Sequence, residues 1–514
     1  MLVVSDAIER FLDTSGPCLS TDITAHLHGT LGLSPAAARQ RVRRMPETVK
    51  KLAYLPFPRN ARFCYLAKDY GSRRFWAALI AAFEKTGAIY GASLGAVLAR
   101  DGIVPEAHFN IVSGAPVKQK KHVGSQRVLE RLLEANLLER RDVDGIGPAI
   151  VQPRTRGHDA WPAVQARARL AAEAVLLSAL ASWARNNGLV SYDRVKLRSA
   201  AGGPDVGTMV WDLTAPCYLD GLVTAVARKE RGRPAYLVAD VLLARIEVDG
   251  VRAFVRKCRT VGQLRNVKCL KMFVAESMSG TARDLLKREG IIAATTGSLF
   301  GRDFAQALSE LTRFFAGFMS GSSIDVARLD ALLSAFGDIK GAALQIRGTL
   351  FEFLADRLAR FEFRTDRVVL NRIYSDPTVL GTKAEADLTV ERGDVGLVFI
   401  ECKSSAPWGT VPDDQFRNWL HKQVPVLFGA THARPEWANR DIVFEFWATA
   451  PLSAECSTLL EAAQAEAGGR RYSLKVRTSP DLLEICDAMG DTNVRRAFER
   501  HFTQRGRREE GLFA

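Results

Sequence analysis

The sequence predicts an α/β protein in four segments: two small helix-and-hairpin modules over 1–70 and 71–155, then two larger α/β/α domains over 156–320 and 321–514. Three observations carry that expectation. At 514 residues the chain exceeds what one hydrophobic core ordinarily organises, so several domains are needed. Up to about residue 155, short amphipathic helices are followed by turn-punctuated hairpins; beyond it, helical periodicity alternates with apolar strand runs, the texture of βαβ units. That second texture occurs twice in the same order, on either side of GFMSGSS (317–323), a Gly/Ser-rich stretch that reads as a linker.

The composition, 47% hydrophobic and 25% charged, is that of a soluble globular chain. No uninterrupted run of about 18 apolar residues is present, and the acidic N-terminus MLVVSDAIERFLDTSG lacks the basic and apolar regions of a signal peptide. A cytoplasmic protein with no membrane partner is expected. The eight cysteines (18, 64, 217, 258, 269, 402, 456, 486) are scattered without zinc-ligand spacing and are expected to be reduced and mostly buried. The net charge of +14 points to a polyanionic partner, nucleic acid first.

In the first module Ser5–Leu12 is amphipathic, and Ser20 or Thr21 is placed to cap a second helix running through His28. Ser34 caps a third, PAAARQRVRRM, with Pro35 at its first position. VKKLAYLPFPRNARFCYLA then alternates and turns at Pro58-Arg59-Asn60, as a hairpin would. Three helices and a hairpin is the order of a winged helix-turn-helix. Nine basic residues lie between Ser34 and Lys68 against one acid, Glu47: Arg39, Arg41, Arg43, Arg44, Lys50, Lys51, Arg59, Arg62 and Lys68. Charge is thus concentrated on the third helix and the wing, the parts of such a fold that meet DNA.

The second module repeats the order less cleanly: helix RRFWAALIAAFEKTG, short strand AIY, helix SLGAVLARDG, basic loop VKQKKH, helix SQRVLERLLEANL and hairpin LERRDVDGIGPAIVQ. Lys118, Lys120 and Lys121 in the loop, with Arg127 beyond it, are placed to face phosphates; a packing or dimer role fits this module equally well. GASLG (91–95) formally matches a nucleophile elbow, but that needs a strand-to-helix turn above a parallel sheet. Bracketed by helices, Ser93 reads as a helix residue.

The first α/β half opens with a long Ala-rich helix from about 158, followed by strands around VWDLTAPCYLDGLVTAV and PAYLVADVLLARI and then alternating helices and strands to DFAQALSELTRFFAGFM. The second opens with helix GTLFEFLADRLARF, followed by strands around EADLTV and GLVFIECKSS, helix DDQFRNWLHKQ, and alternating elements to helix PDLLEICDAMG. The basic tail VRRAFERHFTQRGRREEGLFA is expected to fray.

Chemistry concentrates at residues 385–405. The apolar run Leu397–Ile400 stops at Glu401 and Lys403, which share a strand face because side chains alternate. Asp387 opens the preceding strand, and the connection ERGDVG folds it back beside Glu401. Two carboxylates at the end of a buried sheet repel one another unless a cation lies between them. A hard divalent ion such as Mg²⁺, with Mn²⁺ as substitute, takes such oxygen ligands, with the Cys402 carbonyl as a further donor. Lys403 is then placed to orient or deprotonate a water or to stabilise charge on a phosphate.

Asp387 and Glu401-x-Lys403 on adjacent strands, behind an acidic helix, resemble the PD-(D/E)xK (restriction-endonuclease-like) nuclease superfamily over roughly residues 340–490. The resemblance implies a restriction-endonuclease-like α/β/α fold and Mg²⁺-dependent hydrolysis of DNA phosphodiesters. It also implies a catalytic glutamate on the first helix, matched by Glu352, and a positioning glutamine on the next, matched by Gln415. Where some members carry tyrosine four residues after that glutamine, this chain has Trp419. Asp376-Pro377, with no strand pattern around it, is left outside the site. In the first half Asp220 stands in the place of Asp387, and Asp240-Val241-Leu242 in the place of Glu401-Cys402-Lys403, so the lysine has become leucine. That copy is expected to be inactive.

The expectation is therefore a DNA endonuclease acting on double-stranded DNA in restriction, antiviral defence or repair, as a homodimer or with a partner subunit of a defence system; an RNA or single-strand nuclease is a further reading. A non-catalytic DNA-binding regulator or assembly subunit stays open beside it. No Walker A loop is present, so ATP-driven translocation is not expected.

Overall fold

Local chemistry sets many of the element boundaries. Ser34 Oγ accepts the Ala37 N–H at 3.3 Å and starts the helix Pro35–Arg43 at its proline. The computed structural model describes residues 2–503 except 56, 86–88, 118–121, 154–159, 220–233, 265, 323, 338–340, 366, 380, 394–395, 406–408, 438 and 468–470. The protein is mixed α/β and divides into two compact units. One is Met1–Arg141, Ala149–Pro162 and Asn187–Leu299; the other is Asp142–Pro148, Ala163–Asn186 and Phe300–Ala514.

The first unit begins with helices Leu2–Ser15, Ser20–Leu31 and Pro35–Arg43, then strands Val49–Lys51 and Phe63–Leu66, paired antiparallel with Val49 opposite Leu66. Ile8, Leu12, Ile23, Leu27, Ala38 and Val42 meet Val49 and Cys64 in one small core. Ser20 is not the cap expected of it: the helix already includes it, and its hydroxyl accepts the Arg62 N–H at 2.9 Å. Next come helices Arg73–Glu84, Ile89–Leu98 and Ser125–Glu134 with strands Glu139–Val143 and Gly147–Val151, of which residues Asp142–Pro148 count with the second unit. Of the expected strand AIY, Ala88 lies outside the described residues, and Ile89 and Tyr90 begin a helix whose face is buried by Phe83 and its neighbours. A strand that the sequence pattern did not suggest, Ile103–Pro105, pairs with Gly147–Val151.

The first unit also holds a five-stranded sheet, in the order Ile292–Thr295, Cys269–Met278, Ala235–Ile246, Leu213–Cys217, Lys196–Leu197. Leu213–Cys217 pairs antiparallel with both of its neighbours, Ala235–Ile246 and Lys196–Leu197, and the other pairings are parallel. The second unit holds a sheet of the same order and directions: Tyr472–Arg477, Asp441–Ala448, Gly396–Lys403, Lys383–Arg392, Val368–Ser375. Two sheets with one topology are what the repeated element order anticipated. The edge strand Val368–Ser375 was not read from the sequence, and it leads straight into Asp376, whose carboxylate accepts the Thr378 N–H at 2.8 Å and closes a turn.

Three further differences concern helices. From Ala163 the long helix Ala160–Asn186 belongs to the second unit, as does Arg302–Met319. The latter runs through Gly317-Phe318-Met319 with Phe318 buried, so the expected linker is shortened to its final residues, of which Ser323 lies outside the described ones. The tail does not fray before Phe502: Asp491 caps the helix Thr492–Phe502, and Val494, Ala497, Phe498 and Phe502 are buried. Among the described residues no helix is long and apolar enough to cross a membrane, and all eight cysteines are free.

Candidate active site

The strand Gly396–Lys403 is buried along its whole length until Lys403, which is half-exposed. Its antiparallel ladder with Lys383–Arg392 closes at Leu388 opposite Ile400. One position beyond, the ladder is replaced by a side chain: the Asp387 carboxylate accepts the Cys402 N–H at 2.6 Å. Lys403 Nζ lies 2.6 Å from Glu401 Oε1. The fold thus brings Asp387, Glu401 and Lys403 together: Asp387 is tied to the neighbouring strand, and Glu401 and Lys403 to each other.

Electrostatics follow from burial. Burial first, and then Asp387, push Glu401 up to about 8. Burial raises Asp387 above the usual aspartate range, against the pull of Lys403. On the half-buried helix face Glu352 is pushed up to about 8 by burial, Asp387 and Glu385. Burial works against the Lys403 ammonium, but Asp387 and Glu401 hold its pKa above the ordinary lysine value, so it stays charged. Burial and mutual repulsion thus raise these carboxyls, a pattern of perturbed acidities that clusters at functional sites.

Glu385 was missed by the sequence reading. Half-buried and two residues before Asp387, it is pushed up to about 7 by burial and by Asp387. The signal was present: spacing of two on a strand places both carboxylates on one face.

Gln415 is exposed on the rim of an open cleft of about 1000 Å³ that reaches Glu401 and Lys403. The glutamine that touches the site is Gln423, whose Nε2 donates to Glu401 Oε1 at 3.3 Å. It ends a π-helical turn, Trp419–Gln423, between the helices Asp413–Asn418 and Val424–His432; the wider turn shifts which residues face the strand. Trp419 is a core residue, packed against Phe416 and Phe446. Arg417, His421 and Lys422 line the same cleft.

An oxygen set of Asp387, Glu401 and the Cys402 carbonyl suits Mg²⁺, which is ordinarily held by one or two carboxylates and keeps several waters. Among the described residues no group of three or more His, Cys, Asp or Glu side chains forms a ready-made metal cage.

In the first unit Arg39, Arg43, Arg44, Lys50, Lys51, Arg59 and Arg62 are exposed and Arg41 is half-exposed; none of the eight is ion-paired to a described acid. Arg59 and Asn60 take positive φ at the hairpin turn (54° and 55°). Lys68 instead pairs with Asp13. Arg127 is spent on Glu130, 3.1 Å away, while Lys118, Lys120 and Lys121 lie outside the described residues. Ser93 is fully buried and bonds the Ile89 and Ser113 carbonyls, which leaves it no nucleophilic role.

Asp220 also lies outside the described residues. The residue in register with Asp387 is Asp212: it directly precedes Leu213, the last residue of its ladder (opposite Ala239), and its carboxylate accepts the Val241 N–H at 2.8 Å. No family model, curated protein or solved structure matches the chain.

Proposed function

We propose that the protein is a Mg²⁺-dependent endonuclease of the PD-(D/E)xK type, in which the second sheet carries the catalytic centre and winged-helix modules hold double-stranded DNA. The observation that carries this reading is the set Asp387, Glu401 and Lys403, gathered at the end of a buried strand beside an open, cation-rimmed cleft. A binding protein has no need to confine repelling carboxylates in a core, where their charge is costly.

Asp387 and Glu401, with the Cys402 carbonyl, would hold the ion, which supplies charge neutralisation at the scissile phosphate and a more acidic water. The residues' own work is separable from it. The Cys402 N–H fixes the rotamer of Asp387, and Gln423 and Lys403 together orient Glu401. Lys403, 2.6 Å from Glu401 and held above the ordinary lysine value by Asp387 and Glu401, is placed to present positive charge to the phosphate. Lys422 on the cleft rim suits a flanking phosphate, whereas Arg417 there is paired with Glu455 at 3.3 Å. The exposed basic residues from Arg39 to Arg62, none ion-paired to a described acid, suit the duplex backbone. A cytoplasmic role in restriction or antiviral defence, as a homodimer or with a partner subunit, belongs to the same proposal.

Separation of binding from cutting tests it. Asp387→Asn and Lys403→Met are expected to retain duplex affinity in a gel-shift assay and to lose cleavage with Mg²⁺ or Mn²⁺. Cleavage unchanged in both variants would remove the second sheet as the catalytic centre.

A further inference from the structure

The first sheet repeats the candidate site's geometry with a different source of positive charge. Asp212 accepts the Val241 N–H as Asp387 accepts that of Cys402, and its own N–H donates to Asp240 Oδ1 at 3.2 Å. Asp240 holds the place of Glu401, and Leu242 that of Lys403. Yet an ammonium is present: Lys257, from the crossover helix Val248–Gly262, lies 2.5 Å from Asp240 Oδ2. Arg198 Nη1 lies 2.8 Å from Asp212 Oδ1, so each aspartate has its own cation. Lys257 also donates to the Ile111 carbonyl at 3.0 Å and stands 4.3 Å from the Trp211 ring centre.

Access separates the two sites. Asp212, Asp240 and Lys257 are 0%, 3% and 0% exposed. The segment carrying Ile111 fits over the crossover helix so closely that a Cβ on Gly114 (φ 69°) would fall 2.8 Å from the Ala253 backbone. A Cβ on Gly95 would fall 2.8 Å from the Asp249 carbonyl oxygen. No space is left there for a phosphodiester.

We infer that the first sheet carries a closed counterpart of the candidate site, in which the Arg198 guanidinium and the Lys257 ammonium hold the two aspartates where the second sheet would take a divalent ion. Lys257 fastens the helix Phe109–Val112 over it. The comparison with an ion rests on the proposed function; the buried charge network does not. The leucine at 242 is therefore not what silences this copy. Its charge is balanced from within and its mouth is covered, so of the two sheets only the second keeps a cation-competent centre among the described residues, and that centre cuts one strand per encounter.

Mn²⁺ uptake by the full-length protein, read from the electron paramagnetic resonance of free Mn²⁺, tests the assignment together with thermal midpoints. Asp387→Asn is expected to abolish uptake, while Asp240→Asn preserves it. Lys257→Met alone is expected to lower the midpoint and speed amide exchange at 109–113. Asp240→Leu with Lys257→Met should recover most of the lost midpoint, because removing both members of a buried ion pair is far milder than stranding one. Uptake that persists in Asp387→Asn and disappears on Asp240→Asn would overturn the inference, as would a double variant no more stable than the single. Wild-type protein that takes up no Mn²⁺ would count against the proposed function, leaving the midpoints to decide the closed site.

Discussion

Glu401→Gln should stabilise the protein while silencing it. Glu401 is 5% exposed and held at about 8, against an ordinary 4.5. A carboxyl raised in this way contributes stability that is complete below the unfolded-state value and is lost as pH rises towards the folded-state value. Taken alone, that difference amounts to about 1 kcal/mol at pH 5 and about 4 kcal/mol at pH 8. Lys403 and Asp387 share the interaction, so about half of it is expected to be recovered by the amide, or about 2 kcal/mol at pH 8. The assay is urea denaturation in EDTA at pH 5 and pH 8, followed by tryptophan fluorescence. The amide should gain on the wild type as pH rises, and Mg²⁺ should narrow the gap by stabilising the wild type alone. An amide variant that is less stable than wild type by the same margin at both pH values would refute the reasoning, because Glu401 would then be an ordinary satisfied ion-pair partner.

Further outcomes follow from the same geometry. Gln423→Ala should lower cleavage about 10- to 100-fold through loss of a hydrogen bond to a charged group, whereas Gln415→Ala on the rim should change it little; paired kinetics under identical Mg²⁺ decide. Because burial and Asp387 raise Glu401, and burial raises Asp387, apparent Mg²⁺ affinity should climb between pH 6 and 8 as those carboxylates ionise; isothermal titration in two buffers should show proton release on binding. Arg43→Ala and Arg44→Ala should each weaken duplex binding and reduce the salt slope by about 0.9 per lost phosphate contact, measured by fluorescence anisotropy across a salt series.

The central triad was legible because its information is local. An apolar run ending in Glu401-x-Lys403, an aspartate at hairpin distance and strand alternation suffice to gather three side chains. Gln423 was not legible, because the π-turn that aims it breaks the helical count from Gln415. Asp212 was overlooked in favour of Asp220 because its strand, Leu213–Cys217, is short and contains Pro216, so the pattern fixed the neighbourhood but not the register. Lys257 carries no signal in the sequence beyond one more base on an amphipathic helix; only the fold brings Asp240, Ile111 and Trp211 around it. Val368–Ser375 was missed because an edge strand carrying Asn371 and Arg372 lacks the apolar run of its inner neighbours.

The most direct measurement is cleavage of supercoiled plasmid, linear duplex and single-stranded DNA by the full chain. It is run with Mg²⁺, with EDTA, and with the Asp387→Ala, Lys403→Ala double variant. The account predicts that duplex is cut only with Mg²⁺ and only by the native residues, with nicked circles appearing before linear product. Duplex binding without cutting in Mg²⁺ and Mn²⁺, identical for wild type and double variant, would contradict it and leave a DNA-binding regulator.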